Sequence, residues 1–126
     1  MARNIFEIEA PDVVSETLFK SLLQQGYSTD ILCVEDSFIR NQVWSGLWYV
    51  RVVSPDGKIE RVLSTTRVKD KTAGFSIRSF KSANGLTSFI HGIGYQHIAI
   101  PFYAGAWRRL GTLVTTDEMG AETEDP

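Results

Sequence analysis

The spacing of apolar residues predicts a helix near the N-terminus. Val14, Leu18 and Leu22 recur every four residues, and Gly26 ends the pattern. A proline is tolerated in the first turn of a helix, so Pro11 fits the start of this one. We therefore predict an amphipathic helix of about four turns.

A second, shorter stretch has the same period. Ser82 is a good N-cap residue and Gly94 a good stop signal. Between them, apolar residues occupy the i, i+3, i+4 and i+7 positions of one helix face. These residues are Leu86, Phe89, Ile90 and Ile93.

A β-hairpin is the clearest strand signal. β-Branched and aromatic residues fill 48–53 and much of 58–66, and the intervening turn contains Pro55 and Gly57. With a three-residue loop at 55–57, Arg51 would lie directly opposite Arg61. Both would then share one face of the sheet.

Other segments are less distinct. Residues 29–34 suit either a buried strand or the start of a helix, and 38–43 have a weakly helical pattern that Gly46 interrupts. Short strands are predicted at 4–8, 75–80, 97–101 and 107–114. The order of elements predicts a single small α+β domain over residues 1–116. Its antiparallel, hairpin-based sheet, of about four to five strands, packs against the N-terminal helix and the short second helix. Residues 117–126 are expected to form a flexible acidic tail.

Length and composition fit such a domain. The chain has 126 residues, of which 43% are hydrophobic, enough for a core without disulfides or metals. Cys33 is the single cysteine, which excludes an intramolecular disulfide and favours a reducing compartment. The longest apolar runs are too short to span a membrane. We expect a soluble, cytoplasmic protein with no membrane contact.

The charge is distributed unevenly. Residues 1–36 hold two basic and seven acidic side chains, residues 37–116 hold eleven and three, and residues 117–126 hold five acidic ones alone. The net charge of −2 therefore hides a basic middle between two acidic ends. Such asymmetry indicates the sign of a partner's charge.

A basic sheet face is the candidate binding site. Like charges opposite each other destabilise a sheet, and an anion would relieve the Arg51–Arg61 pair. Basic residues interleaved with aromatics on a sheet are typical of several nucleic-acid binders. The predicted site comprises Tyr49, Arg51, Arg61, Arg67, Lys69, Lys71, Arg78 and Lys81. The alternative is that Glu7, Glu9 or the acidic tail neutralises these arginines from within the protein.

Catalytic and metal-binding patterns are weak. His91 and His97 are six residues apart with no nearby carboxylate or thiol to complete a metal site. Cys33 lies in an apolar run, where cysteine usually acts as a small hydrophobe. The glycines around Gly92 match no dinucleotide or phosphate loop. We expect no cofactor and no metal.

The sequence thus predicts a non-catalytic binding or regulatory protein that contacts a nucleic acid or an acidic protein surface. One alternative is a mobile-element-encoded inhibitor of a host protein complex, of the anti-restriction or anti-CRISPR type, acting by protein–protein contact. Another is an enzyme with an unfamiliar site around His91, His97 or Tyr95. A homodimer formed through exposed aromatics such as Trp44, Tyr103 and Trp107 is compatible with both binding hypotheses.

Overall fold

The computed structural model describes residues 12–65 and 76–113. They form an α+β fold, as the sequence predicts, with two helices and a six-stranded sheet. The helices are α1 (Glu16–Gln24) and α2 (Ala83–Gly92). The strands are β1 (Val13–Val14), β2 (Ser28–Arg40), β3 (Val43–Val53), β4 (Glu60–Leu63), β5 (Phe80–Ser82) and β6 (Trp107–Gly111).

The sheet is mixed but mostly antiparallel. Its strands lie in the order β1-β4-β3-β2-β6, and β5 pairs with another part of β3. Only the two-residue β1 runs parallel to its neighbour, β4. The sheet has six strands where about four to five were predicted, and one of the six, β1, lies within the segment expected to begin α1.

Both predicted helices are present. The Oγ of Ser82 caps α2 by accepting a hydrogen bond from the Gly85 amide at 3.0 Å, as expected. Helix α1 is shorter than predicted, because Val13 and Val14 pair with β4 instead of extending the helix. The cap is therefore Ser15, whose Oγ accepts from the Leu18 amide at 3.2 Å.

Apolar side chains line both faces of the sheet. The face toward the helices carries the larger core, in which Phe19, Trp48 and Leu86 are fully buried. The opposite face carries a smaller cluster of Leu32, Val34, Tyr49 and Val62. Strands β2 and β3 contribute to both, because successive side chains of a strand point to opposite faces.

The segment 29–46 forms parts of β2 and β3 joined by a turn, so the helix predicted at 38–43 is wrong. Ile39 pairs with Trp44, and Arg40 pairs with Val43 across a tight turn. The two turn residues, Asn41 and Gln42, have φ angles of 53° and 65°, as a two-residue hairpin turn of the primed type requires.

Two other strand predictions also change. Residues 97–101 form no strand; instead the carbonyl of Pro101 accepts a hydrogen bond from Trp48 Nε1 at 2.8 Å. Within the predicted strand 75–80, Ile77 forms only an isolated bridge to Ser64 before β5 begins at Phe80. The strand predicted at 107–114 is present as β6. The edge strand predicted at 4–8 and the tail at 117–126 lie outside the described residues.

Neither α1 nor α2 is long and apolar enough to cross a membrane, and the described residues contain no other α-helix.

Candidate functional site

The turn between β3 and β4 sets the register of the predicted hairpin. Ser54 donates its amide to the Ile59 carbonyl at 2.9 Å, and the Asp56 carboxylate accepts from the Ser54 hydroxyl at 2.6 Å. The loop is one residue longer than predicted, and Arg51 lies opposite Val62 while Arg61 lies opposite Val52. A shift of one residue moves a side chain to the other face. The predicted Arg51–Arg61 pair is therefore wrong.

Arg61 and Arg78 instead lie on the helix side of the sheet, close to acidic residues. Arg61 Nη1 is 3.9 Å from the Asp12 carboxylate, and Arg78 Nη1 is 3.2 Å from the Glu16 carboxylate. Hydrogen bonding from Lys20, with the added charge of Arg78, lowers the pKa of Glu16. These contacts agree with the alternative that acidic groups of the chain neutralise the basic residues. Glu7, Glu9 and the acidic tail, which that alternative names, lie outside the described residues.

The remaining predicted site residues are dispersed or undescribed. Tyr49 is buried on the face opposite the helices, which it shares with Arg51. Lys81 is exposed on the short strand β5. Arg67, Lys69 and Lys71 lie outside the described residues. The structure therefore does not bring the described members of the predicted site onto one surface.

Arg51 belongs to a different group of charges, centred on Asp30. Asp30 has no exposed surface and lies opposite Arg51 on β3 and Arg109 on β6. Its Oδ2 accepts from Arg51 Nε at 3.0 Å and Nη2 at 2.7 Å. Arg109 donates from Nε to Oδ1 at 2.7 Å and from Nη2 to Oδ2 at 3.0 Å. One buried carboxylate thus joins three adjacent strands.

Trp107 completes this group, which we call the Asp30 cluster (Asp30, Arg51, Arg109 and Trp107). The guanidinium carbons of Arg51 and Arg109 lie 5.4 and 5.2 Å from the centre of the indole ring. Both distances suit cation–π contact. The hydrogen bond to Asp30 raises the pKa of Arg109. With Glu60 3.7 Å from Arg51, the cluster holds its arginines in place and leaves no excess of free positive charge on Arg51.

Sequence reasoning missed Asp30, Arg109 and Trp107 as members of one group. The available signal was a single carboxylate directly before the apolar run 31–34. A charge in a buried strand requires partners on the neighbouring strands. Finding those partners requires the pairing of β2 with both β3 and β6, which no local pattern indicates.

The end of the β2–β3 hairpin projects a separate apolar surface. It is formed by Phe38, Ile39, Val43 and Trp44 of the hairpin, with Phe102 and Tyr103 beside it, and we call it the aromatic arm. The Trp44 and Phe102 rings stack with their centres 5.4 Å apart. The Phe102 carbonyl accepts a hydrogen bond from the Ser37 amide at 2.8 Å, which holds Phe102 against the hairpin.

The exposed large apolar side chains are concentrated in this arm. Of the nine exposed large apolar side chains in the described residues, six belong to it, and Tyr103 is 71% exposed. Scattered single apolar residues are normal on a surface, whereas a contiguous group marks an interaction site. The aromatics named from the sequence, Trp44, Tyr103 and Trp107, are all exposed, as predicted.

Both histidines line one small pocket of about 130 Å³. Its other described lining residues are Thr87, Ile90, Tyr95, Gln96 and Ile98, none of which carries a carboxylate. The hydroxyl of Tyr95 donates to the Gly111 carbonyl at 2.6 Å, and burial raises the pKa of this phenol. The described part of the chain therefore supplies this pocket with no carboxylate to orient a histidine for acid–base catalysis.

Two further chemical possibilities find no support in the described part of the chain. Burial, with the negative charge of Asp36, raises the pKa of Cys33, which disfavours the reactive thiolate. Among residues 12–65 and 76–113, no three His, Cys, Asp or Glu side chains cluster as metal ligands would.

Comparison of the chain with models of protein families, with curated proteins and with solved structures finds no match.

Proposed function

We propose that this chain is a non-catalytic binding protein that acts by protein–protein contact, and that the aromatic arm is its contact surface. The observation that carries the proposal is the concentration of exposed apolar side chains at one end of one hairpin. Aromatic side chains dominate the energetics of protein interfaces because they bury a large area with few rotatable bonds.

The geometry of the arm favours a protein partner. Phe38 and Val43 lie on one face of the hairpin, and Ile39 and Trp44 lie on the other. A two-stranded ribbon with apolar residues on both faces gains stability when both are covered. A groove in a folded protein can cover both, and its apolar walls match these side chains better than the phosphates of a nucleic acid do.

The basic-face version of the hypothesis has weaker support. Its central pair, Arg51 and Arg61, lies on opposite faces, and each arginine has an acidic neighbour. Electrostatic binding to nucleic acid relies on cations that are free to replace counterions at the phosphates. We therefore propose the same general role, a non-catalytic binding protein, but with the aromatic arm in place of the sheet face as the contact surface.

Site-specific photocrosslinking tests the proposal in the cells that naturally make the protein. A photoreactive phenylalanine analogue replaces Phe38 in one variant and Tyr103 in another. Both side chains are exposed, so neither replacement opens the core. We expect discrete crosslinked protein products from both positions, and their loss when Trp44→Ser and Ile39→Ser are added.

Leu18 provides the matched control, because it is an exposed apolar residue on α1, outside the arm. The same analogue at Leu18 should give no product. A product of twice the chain's mass would identify the partner as a second copy, and another mass would identify a different protein. If the arm positions crosslink no more than Leu18 does, or crosslink to nucleic acid, the proposal is wrong.

A further inference from the structure

A second surface, independent of the aromatic arm, lies along β6. This strand pairs with β2 on one side and stands at the end of the sheet order. Among the described residues, no strand pairs with its other side. An edge strand of this kind presents backbone donors and acceptors that can pair with another extended chain.

The hydrogen-bond pattern identifies the outward backbone groups. The Cys33 amide donates to the Ala106 carbonyl, and Ile31 lies opposite Arg108 two residues further along. Hydrogen-bonded pairs alternate with non-bonded pairs in an antiparallel ladder. The amides and carbonyls of Trp107 and Arg109 therefore point away from β2. The Arg108 guanidinium donates to the Trp107 carbonyl at 2.8 Å, as an outward carbonyl permits.

The side chains of this edge are positively charged on both faces. Arg108 is exposed, and within residues 12–65 and 76–113 its guanidinium hydrogen-bonds to the carbonyl of its own neighbour, Trp107, and to no carboxylate. Arg109 remains 43% exposed although Asp30 orients its guanidinium. The strand Trp107–Gly111 has no acidic residue. Opposite charges on neighbouring strands stabilise their pairing.

From these observations, we propose that the outer edge of β6 binds an extended acidic peptide segment of a partner protein as an additional strand. Backbone hydrogen bonds to Trp107 and Arg109 supply the pairing, and a carboxylate opposite Arg108 supplies most of the selectivity, because Asp30 already neutralises Arg109. The Asp30 cluster contributes by fixing Arg109 and Trp107 on one face, so that less side-chain entropy is lost on binding.

Two other occupants fit this edge less well. A second copy pairing through β6 would bring the arginines of the two strands together, and like charges across a sheet are destabilising. A nucleic acid would offer phosphates to Arg108 and Arg109 but no regular row of peptide groups for the outward amides and carbonyls. An acidic peptide matches both features.

Two fluorescent octapeptides test the charge selectivity. One alternates valine with glutamate and the other alternates valine with lysine, so both can form a strand. Fluorescence anisotropy with the full chain should show binding of the glutamate peptide and at least tenfold weaker binding of the lysine peptide. Arg108→Glu should weaken binding of the glutamate peptide about tenfold and should strengthen binding of the lysine peptide.

A matched pair of variants tests the backbone pairing. Trp107→Pro and Trp107→Val both remove the indole, but only proline also removes the outward amide. We expect the proline variant to bind the glutamate peptide at least tenfold more weakly than the valine variant does. Circular dichroism and thermal unfolding verify that both variants fold.

Hydrogen exchange of the unaltered protein tests the backbone pairing without any substitution that could alter the fold. The Trp107 and Arg109 amides should exchange quickly in the free protein and slowly with the glutamate peptide, whereas the Arg108 amide should be slow in both. Equal binding of the two peptides would overturn the proposal, as would peptide binding without protection of these amides. Concentration-dependent protection in the free protein would overturn it in favour of a second copy.

Discussion

Asp30 is the residue on which the arrangement of three strands depends. Its carboxylate is fully buried and is held by four hydrogen bonds from Arg51 and Arg109. Taking a carboxylate out of water is costly, and only excellent geometry compensates for it. Removing the carboxylate would also take from Arg51, whose side chain is 15% exposed, its hydrogen-bonded and buried charge partner, and would leave it, among the described acidic residues, only the more distant Glu60.

We expect Asp30→Asn to lower the free energy of unfolding by roughly 3 kcal/mol, measured by urea denaturation. This value is at the low end for a broken buried ion pair, because the half-exposed Arg109 can regain water. Glu60→Gln is the control. Glu60 is 52% exposed and 3.7 Å from Arg51, so its loss should cost less than about 1 kcal/mol. Equal effects of the two substitutions would show that Asp30 does not organise the cluster.

The local roles of individual residues were predictable from the sequence more readily than the residues with which they interact. Ser82 as a cap depends on its immediate neighbours, and that prediction is confirmed. The prediction that Arg51 lies opposite Arg61 depended on the register of a hairpin, and the Ser54 and Asp56 side chains form hydrogen bonds within its turn. One additional loop residue was enough to move Arg61 to the other face.

At the scale of elements, the β2–β3 hairpin has two different halves. Near the helices its strands are buried on both faces, whereas beyond the register shifts between Cys33 and Phe38 they are exposed. Bulges bend a strand and interrupt its pairing. They mark the point where the buried sheet ends and the aromatic arm begins.

Gly46 lies at this boundary and makes room for a buried indole. A Cβ at this position would lie 2.9 Å from Trp48 Cη2 and 3.3 Å from the Ser37 backbone. Trp48 is fully buried and hydrogen-bonded through Nε1, so it cannot move aside freely. We therefore expect Gly46→Ala to destabilise the protein by about 1–3 kcal/mol in urea denaturation.

Gly92→Ala is the matched substitution for this test. A Cβ at Gly92, the last residue of α2, meets nothing within 4 Å. Because alanine favours a helix over glycine, this change should be neutral or stabilise by up to about 1 kcal/mol. A tolerated Gly46→Ala would mean that the indole can shift without loss.

The segment 29–46 shows why this element was hard to predict. Its apolar residues have no clean alternation, because residues 31–34 are buried on both faces and the register shifts that follow interrupt the period of two. The turn residues Asn41 and Gln42 adopt positive φ angles without a glycine to indicate it. In contrast, the helices were predictable because each has its own cap and an uninterrupted apolar face.

At the scale of the whole molecule, the two apolar cores share the same central strands. Ile31 and Cys33 belong to the helix-side core, and Leu32 belongs to the opposite cluster. Loss of either core would expose these strands, so the described domain should unfold as one unit. The arm lies outside both cores and can open by itself.

Hydrogen exchange should show this division. We expect the amides of residues 31–33 and 48–50 to exchange only through global unfolding, at a free energy equal to that from denaturation. Amides of residues 38–44 should exchange through local opening at lower free energy. Arm amides as slow as those of the central strands would contradict this expectation. Addition of a partner that binds the arm should slow them selectively.

The two arginines of the Asp30 cluster reach their carboxylate from very different distances along the chain. Arg51 is 21 residues away and Arg109 is 79. Closing the longer loop costs more chain entropy, and contacts of long range generally form slowly. An intermediate in which β2 and β3 have paired but β6 has not docked would expose one side of Asp30 to water. Late docking of β6 would then be the step that removes this water, so the rate of refolding should depend on Arg109.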